Sequence, residues 1–341
     1  MLFFRNDYSN GAHPAILEAL CNTNLELTAG YGEDAYCEKA AEVIRQLCQA
    51  PRAEVHFIVG GTQANKLAIG AFLRPWEAVI SAESGHIQSH EAGAIEHNGH
   101  RICLCPTLNG KITPQQIQDI CALYTEDETA VAPKVVYISN TTELGTVYSR
   151  AELQALRRAC DQWGLYLYCD GARLACAMAV SDTDFSDYAT NCDAFTIGGT
   201  KNGLLFGEAL VITNPALMPS FRRCMKQQGA MLAKGRLLGI QFHAALEDGL
   251  YMELAKKSIR AARQLREGLQ ALQIPMLIDS PSNQLFPILH QDTITALQEH
   301  VAFEHWSKVD GSRNCVRFVT AWHTTEEEVT ALLTLLKNLL V

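Results

Sequence analysis

A lysine lies in a glycine-rich segment directly after a predicted buried strand. Lys201 is part of the sequence GGTKNG, which follows an apolar run at 194–198. Its small neighbours can hold the side chain in a fixed position and leave it accessible. A lysine whose pKa is lowered forms Schiff bases with carbonyl compounds. Since most single loop lysines are solvated surface residues, Lys201 alone does not identify a site.

An aspartate occupies the corresponding position after another predicted strand. Asp170 follows the apolar run at 165–169 and opens the sequence DGAR. An acid at the carboxyl end of a central strand points into the crevice where α/β folds bind ligands. The alternative is that Asp170 caps a following helix, which is a common position for aspartate.

Two glycines and a threonine join a third strand to a helix. Gly60, Gly61 and Thr62 follow the apolar run at 55–59. Backbone N–H groups at such a helix start can bind a phosphate, and the alternative is a tight turn with Thr62 as N-cap. A GxGxxG pattern is absent and no GKS or GKT follows, which disfavours dinucleotide and P-loop sites.

The order of these three segments matches the needs of one cofactor. Pyridoxal phosphate needs a phosphate cup, a carboxylate beside its pyridine nitrogen and a lysine for its aldehyde. Gly60–Thr62, Asp170 and Lys201 provide these groups in that order along the chain. The combination favours pyridoxal phosphate more strongly than any single segment does.

The elements that position these residues alternate between strands and helices. Helical patterns separate the apolar runs, and Ser149 with Glu152 forms a capping-box pattern in the last of them. Continuously apolar runs are typical of strands buried on both faces of a parallel sheet. The predicted strands are 55–59, 78–82, 101–105, 134–139, 165–169, 194–198 and 209–213, and the predicted helices are 62–73, 86–98, 114–124 and 149–163. We therefore expect an α/β fold with a mostly parallel seven-stranded sheet flanked by helices.

The sequence pattern changes after residue 245. We expect a long charged helix at 246–273, a short helix near 293–300 and a terminal helix at 325–340, with strand-like sequences NQLFPILH and NCVRFVTAW between them. This pattern predicts a smaller C-terminal α+β domain at 246–341, after a large cofactor-binding domain with an N-terminal arm at 1–245. Because no linker rich in Pro, Gly or Ser separates the two, we expect them to pack tightly.

Composition excludes several classes of partner and location. The chain has 341 residues and a formal net charge of −9, so it lacks the basic face that nucleic acid binding needs. No apolar run reaches the ~18 residues that span a bilayer, and the N-terminus lacks a signal pattern. The 12 cysteines are scattered without a CxxC pair, which is typical of small buried residues in a reducing cytoplasm. We expect a cytoplasmic protein that binds neither nucleic acid nor membrane.

Most of the chain resembles the threonine aldolase and β-eliminating lyase family of pyridoxal phosphate enzymes, within the aspartate-aminotransferase-like fold. The matching segments are RNDYSNG, AGYGEDAYCEKAAEVI, VGGTQANKLAI, SGHIQSHEAGAIE, YCDGARL, IGGTKNGL and, more weakly, NCVRFVTAW. The strongest match is DGAR followed by the lysine of GTKNG.

The resemblance implies roles for individual residues. Lys201 matches the Schiff-base lysine, Asp170 the partner of the pyridine nitrogen, and Gly61 and Thr62, flanked by Gly60, the phosphate loop. His86 matches a histidine that stacks on the pyridine ring and can take a hydroxyl proton. Glu91 matches an active-site acid on the same segment.

The resemblance also implies a substrate site that holds an amino acid. Arg173 and Arg317 match arginines that bind the substrate carboxylate, and planar guanidinium groups suit that task. Tyr31 matches an element near the site at a subunit boundary. Of the later lysines, Lys226 and Lys234 are both candidates to reach a neighbouring subunit's phosphate. We therefore expect a homodimer or homotetramer.

Two positions depart from the family pattern. Asn6 occupies a position where many such aldolases carry serine, so its contact with a carboxylate would have a different geometry. The segment at 139–145 lacks the family's histidine and offers Thr142 or Glu143 instead. The spacing of His86 and His90 would allow a metal pair, but without a third ligand we expect no metal.

The function implied is retro-aldol cleavage of a β-hydroxy-α-amino acid, such as L-threonine or L-allo-threonine, to glycine and an aldehyde. Two alternatives remain open. One is another pyridoxal phosphate reaction, either β-elimination or transamination. The other is binding of the cofactor or of an amino acid without catalysis.

Overall fold

The computed structural model describes residues 1–125 and 127–340. The elements of its first half are β1 (Leu2–Phe3), α1 (Pro14–Asn22), α2 (Ala35–Leu47), β2 (Glu54–Ile58), α3 (Gly61–Phe72), β3 (Glu77–Ala82), α4 (His86–Ser89), α5 (Ala94–His97), β4 (Ile102–Cys105), α6 (Pro114–Thr125), β5 (Ala132–Ser139), α7 (Arg150–Trp163), β6 (Tyr166–Asp170), α8 (Leu174–Val180) and α9 (Phe185–Asn191). The elements of its second half are β7 (Ala194–Gly198), β8 (Glu208–Ile212), a 3₁₀ turn (Pro215–Leu217), α10 (Phe221–Gln227), α11 (Arg236–Leu246), α12 (Leu250–Ala271), β9 (Gln284–Leu285), β10 (Ile288–His290), α13 (Gln291–Gln298), β11 (Val301–Ala302), β12 (Glu304–Lys308), β13 (Arg313–Val319) and α14 (Glu326–Leu339).

The central sheet brings the ends of several strands to one edge. In the described part of the chain it has seven strands in the order β2-β8-β7-β6-β5-β3-β4. All neighbours pair in parallel except β8, which runs antiparallel to both β2 and β7. The predicted mostly parallel sheet is confirmed. Because β8 is reversed, its first residue, Glu208, lies at the edge where β2, β6 and β7 end.

Helices cover both faces of this sheet, and the alternation of side chains along each strand decides which face a residue occupies. On β8, Leu210 and Ile212 pack in the same core as Ala64 and Leu67 of α3. Their neighbours along the strand belong to the opposite core, which contains residues of α7, α8 and α11. The sheet therefore separates an α3 face from an α7 face.

The C-terminal elements form a third core around β13. This strand pairs with β10, β12 and β9, and helices α13 and α14 contribute Leu297 and Leu332 to the core. Phe4 joins it from the N-terminus, where β1 pairs with β11. Helix α12 contributes Tyr251 to the α7-face core and Leu265 to the C-terminal core. The domain boundary after residue 245 stays a prediction.

One predicted helix is confirmed with shifted ends, and another is interrupted. The expected long helix at 246–273 is α12, which begins only at Leu250 because Gly249, with a φ of 75°, is its left-handed N-cap residue. The expected helix at 86–98 is divided by Ala92 and Gly93, whose φ values are 51° and 72°. The capping box at α7 is confirmed, since Ser149 and Glu152 each accept a hydrogen bond from the other's backbone N–H.

Among residues 1–125 and 127–340, the helices are all too short or too polar to serve as a membrane span.

We predict that Gly239→Ala destabilises the fold where α11 packs on α2. A Cβ at Gly239 would lie 2.6 Å from the Cα of Cys37, and that backbone cannot rotate away. We expect the free energy of unfolding, measured by urea denaturation, to fall by about 1–3 kcal/mol. The control is Gly268→Ala in α12, where the added Cβ meets the side chain of Leu333, which can rotate. A Gly239→Ala variant as stable as this control would contradict the prediction.

Candidate active site

A cavity of about 390 Å³ opens at the edge where β2, β6 and β7 end. It brings together seven residues singled out in the sequence, namely Gly60, Gly61, Thr62, His86, Asp170, Arg173 and Lys201. Tyr8, Glu143, Thr200 and Glu208 are also part of its wall. The three segments that follow β2, β6 and β7 therefore enclose one space.

The start of α3 forms an open cradle in this wall. Gly60 is the N-cap residue and no side chain caps the helix. Thr62 lies inside the helix, so the alternative in which it caps α3 is wrong. A Cβ built at Gly60 or Gly61 would meet nothing within 4 Å. The first N–H groups of a helix lack partners within it, so this end is suited to an anion.

Asp170 is buried and held as an anion. Its Oδ2 accepts hydrogen bonds from Asn65 Nδ2 and the Tyr137 hydroxyl, both at 2.8 Å, and its Oδ1 accepts one from the N–H of Ala172 at 2.9 Å. Burial acts to raise the pKa of Asp170, but the field of His86, these donors and Lys201 outweigh it, so the pKa is lowered. The N-cap of α8 is Arg173, which excludes Asp170 from that role.

Asn65 connects Asp170 to a second buried acid. The Nδ2 of Asn65 also donates to Oε1 of Glu91 at 2.7 Å, and the Tyr168 hydroxyl donates to Oδ1 of Asn65 at 2.9 Å. Asn65 lies one helical turn after Gly61. Helix α3 therefore provides both the open N-terminus and the amide that separates the two carboxylates.

His86 and Glu91 form a hydrogen-bonded pair at the cavity wall. His86 Nδ1 and Glu91 Oε1 are 2.8 Å apart. Burial alone would lower the pKa of His86, but the Glu91 hydrogen bond and the negative charges of Glu143 and Asp170 raise it above its ordinary value. Burial raises the pKa of Glu91 despite the opposing hydrogen bonds from His86 and Asn65. Glu91 lies behind His86 and orients the imidazole, whose Nε2 is not used by this contact.

One ligand atom each of His86, Glu91 and Asp170 lies within 4.8 Å of the others. The amide nitrogen of Asn65 already donates to one oxygen of each acid. A hydrogen-bond donor thus occupies the position where a cation would contact both carboxylates.

Lys201 follows β7 in a loop packed tightly on the Asp170 segment. A Cβ at Gly198 would lie 2.7 Å from the carbonyl carbon of Ala172, so only glycine allows this approach. Burial and the nearby positive charge of Arg173 lower the pKa of Lys201 against the fields of Asp7, Glu143 and Asp170. Within the described residues no side chain forms a hydrogen bond or ion pair with its amine.

Arg173 is held by an acid that the sequence did not identify. Its Nε and Nη2 donate to the two oxygens of Asp7 at 2.7 and 3.0 Å, and Asn283 Nδ2 donates to Asp7 at 2.9 Å. Burial would lower the pKa of Arg173, but the charge of Asp7 reverses this and raises it. Arg173 faces the cavity as a fixed, partly neutralised cation.

The remaining predicted substrate residues, Asn6, Tyr31 and Arg317, do not line this cavity in the described part of the chain. Asn6 is buried and its Oδ1 accepts a hydrogen bond from the N–H of Tyr8. Arg317 donates to Gln284 and Glu304 and stacks on Trp306. Tyr31 is 46% exposed. Their roles stay predictions.

The structure distinguishes the two candidates for the missing family histidine. Glu143 lines the cavity and its charge acts on both His86 and Lys201. The Thr142 hydroxyl instead forms a hydrogen bond with the Thr146 hydroxyl, with 2.7 Å between the two oxygens. Of the two later lysines, Lys226 lies over the ring of Tyr31, with 4.4 Å between its Nζ and the ring centroid.

Sequence analysis missed Asp7, Asn65, Tyr137 and Glu208. Asp7 and Asn65 lie within the segments RNDYSNG and VGGTQANKLAI, but nothing in one sequence distinguishes them from their neighbours. Tyr137 was taken as part of an apolar strand. Glu208 is the first residue of β8 and directly precedes the predicted strand at 209–213, and an acid at the start of an apolar strand is a signal that could have identified it.

Comparisons with known proteins identify the family of the chain. The model of the beta-eliminating lyase family matches residues 4–291. The low specificity L-threonine aldolase of Pseudomonas aeruginosa is 32% identical over 331 residues, covering 96% of this chain and 94% of that protein. A solved structure of Leishmania major threonine aldolase is 44% identical, with a TM-score of 0.98 and complete coverage of both chains.

A more distant structure shares the fold alone. Aspartate aminotransferase from Thermus thermophilus, solved with maleate, is 17% identical with a TM-score of 0.72, and the match covers 99% of this chain and 91% of that one. The predicted aspartate-aminotransferase-like fold is confirmed. Together with the family match over residues 4–291, these findings establish that the chain belongs to the beta-eliminating lyase family.

Proposed function

We propose that this chain is a pyridoxal phosphate-dependent aldehyde-lyase that cleaves L-threonine or L-allo-threonine to glycine and acetaldehyde. The observation that carries the proposal is the single cavity shared by Lys201, Asp170 and the start of α3. The threonine aldolases of Pseudomonas aeruginosa and Leishmania major, which match nearly the whole chain, support the same activity.

The residues present fit the cofactor. The open cradle at Gly60 and Gly61 suits a phosphate, and a Cβ at either position would fill that space. Asp170, whose pKa is lowered, suits a protonated ring nitrogen, and the amine of Lys201 is available to an aldehyde. When bound, pyridoxal phosphate supplies an electron sink for the electron pair of the Cα–Cβ bond that breaks.

Asp170 and Lys201 contribute through their charge states. Three hydrogen bonds keep Asp170 ionised and immobile, so it can hold a proton on the ring nitrogen. Burial and Arg173 lower the pKa of Lys201, which increases the fraction of its neutral, nucleophilic form near neutral pH.

His86 is the base for the β-hydroxyl proton, acting directly or through a water molecule. Its Nδ1 donates to Glu91, which leaves the lone pair of Nε2 to accept a proton. Glu91 fixes the ring orientation and stabilises the protonated imidazole. Glu143 lines the same cavity and is the second candidate for this proton.

Arg173 and Arg317 hold the substrate carboxylate in this proposal. Arg173 is oriented by Asp7. Arg317 forms a hydrogen-bonded ion pair with Glu304, and the substrate carboxylate must displace Glu304. Tyr31 lies outside the cavity of its own chain, so it reaches a site only across a subunit boundary. The proposed enzyme is accordingly a homodimer or homotetramer.

We predict that Lys201→Ala abolishes turnover. Borohydride treatment of the wild-type protein with cofactor should attach the cofactor mass to the peptide containing Lys201. Glycine and aldehyde release by the variant should fall at least about 1,000-fold, because the nucleophile is lost. Lys308→Ala, which changes an exposed lysine, should keep full activity.

Product analysis tests the reaction type in the same samples. Ammonia with a keto acid would indicate elimination, amino-group transfer without net ammonia would indicate transamination, and bound cofactor without turnover would indicate a binding protein. Any of these results, or near-normal activity of Lys201→Ala, would contradict the proposal.

We predict that Glu91→Gln shifts the acidic limb of the pH profile. The proposed base works when neutral, so kcat/KM should rise as pH increases through the raised pKa of His86. Without the charge of Glu91, burial becomes the main influence on the pKa of His86 and lowers it. The acidic limb of the profile should therefore move to lower pH. Measured pH profiles of kcat/KM check this shift.

The matched control is Glu96→Gln, which removes an exposed acid from the neighbouring helix α5. Its profile should coincide with that of the wild type. An unchanged limb in Glu91→Gln together with loss of the limb and of most activity in Glu143→Gln would assign the base to Glu143 instead.

A further inference from the structure

Glu208 is a buried acid with an unused oxygen in the wall of the proposed cofactor cavity. It is 4% exposed, and its Oε2 has no hydrogen-bond partner among the described residues. It lines the same cavity as Gly60, Gly61 and Thr62. The steps proposed above do not use it.

The register of β8 places Glu208 beneath the start of α3. Glu208 pairs with Ile58 at the end of β2 and with Gly198 at the end of β7. Because side chains alternate across a strand, Glu208 shares the α3 face with Leu210 and Ile212. It therefore lies between the strand that leads to the glycine cradle and the strand that leads to Lys201.

Glu208 and Asp170 are two buried acids on one face of the sheet, but only one of them is ionised. Asp170 accepts three hydrogen bonds and stays ionised. Burial is the largest influence on Glu208 and raises its pKa to about 8 against the opposing effects of Lys201 and the Thr200 hydroxyl. At neutral pH Glu208 carries a proton and can act as a hydrogen-bond donor.

A neutral donor and an ionised acid would have opposite effects on an anion at the start of α3. The cradle offers backbone N–H groups without a side-chain cap, and the protonated carboxyl group adds a further donor. If Glu208 were ionised, its charge would repel the anion. We infer that Glu208, in its protonated form, donates a hydrogen bond to the phosphate bound at the start of α3. This inference rests on the proposed function, since the phosphate is that of pyridoxal phosphate.

Other titratable groups also lie near Glu208. Asp170 and Tyr168 on β6, Lys201 after β7 and Tyr251 on α12 each interact with it electrostatically. The facing start of α3, at Gly60–Thr62, carries no charge. A test must therefore separate the titration of Glu208 from theirs.

The experiment measures cofactor affinity of the full-length protein, freed of cofactor, from about pH 6.5 to about pH 9.5. The proteins are the wild type, Glu208→Gln, Glu208→Ala and the surface control Glu267→Gln. The quantity compared is the ratio of the wild-type Kd to the Glu208→Gln Kd at each pH. Titratable groups that both proteins share change both Kd values equally, so their effect cancels in this ratio. Glutamine keeps a neutral hydrogen-bond donor at position 208 at every pH.

For pyridoxal phosphate, we expect a ratio near one below pH 7, rising above pH 8 by up to about tenfold per pH unit as Glu208 ionises. Glu208→Ala should bind about 10- to 100-fold more weakly at pH 7, because the donor is lost. Pyridoxal, which lacks the phosphate, should give a ratio independent of pH. Glu267→Gln should match the wild type throughout.

Three results would overturn the inference. A flat ratio for pyridoxal phosphate would show that Glu208 does not act on the bound anion. An equal pH dependence of the Kd ratio for pyridoxal and for pyridoxal phosphate would show that Glu208 acts on Lys201 and not on the phosphate. Absence of pyridoxal phosphate binding by the wild type at every pH would overturn the proposed function itself.

A second measurement covers the case in which the Glu208 variants do not fold. Inorganic phosphate should compete with pyridoxal phosphate on the wild-type protein and not with pyridoxal. The inhibition constant of inorganic phosphate should increase as pH rises through about 8. An inhibition constant that does not change across this pH range would overturn the inference, and this measurement needs no variant.

Discussion

The side-chain amide of Asn65 lies between two buried carboxylates, and the chemistry of the cavity depends on this contact. Its nitrogen donates to both Glu91 and Asp170, which without a donor between them would repel each other in a region with little solvent. The Tyr168 hydroxyl fixes the orientation of the amide by donating to its oxygen. Since Asn65 and the glycine cradle belong to α3, the helix that opens toward an anion also holds the two acids at a fixed separation. A shift of α3 would alter both features together.

Burial opposes the charge of Asp170, Glu208 and Lys201, and the hydrogen-bond donors and charges near each group decide the outcome. Asp170 accepts three hydrogen bonds and stays ionised, whereas Glu208, whose Oε2 has no hydrogen-bond partner among the described residues, carries a proton. Among the described residues Lys201 has no hydrogen-bond partner, and burial lowers its pKa. One environment therefore provides a fixed anion, a protonated acid and an amine with a lowered pKa at the ends of adjacent strands. Pairs of groups with pKa values shifted in opposite directions are typical of active sites.

The sequence predicted the central sheet well, because most of its strands are short apolar runs followed by glycine or a polar residue, and burial on both faces requires an apolar composition. Lys201, Asp170 and the glycine cradle could be found because they directly follow such runs. Asp7 could not, since its partner Arg173 is 166 residues away and only folding brings the two together. The start of the long helix was predicted at 246 instead of Leu250 because an isolated glycine is tolerated in many helices, and only the left-handed φ of Gly249 shows where α12 begins.

In the proposed substrate site, the two arginines that would hold the carboxylate constrain how an amino acid can bind. Burial and the field of Arg173 lower the pKa of Arg317, so the two guanidinium groups lie close enough to repel each other. Asp7 balances the charge of Arg173, and Glu304 balances that of Arg317. Breaking a buried ion pair costs about 3–5 kcal/mol unless a new anion replaces the lost partner. The partly exposed Glu304 can return to solvent, whereas the buried Asp7 cannot. One incoming carboxylate that replaces Glu304 therefore restores charge balance, and this arrangement favours substrates with a single negative charge near the α-carbon.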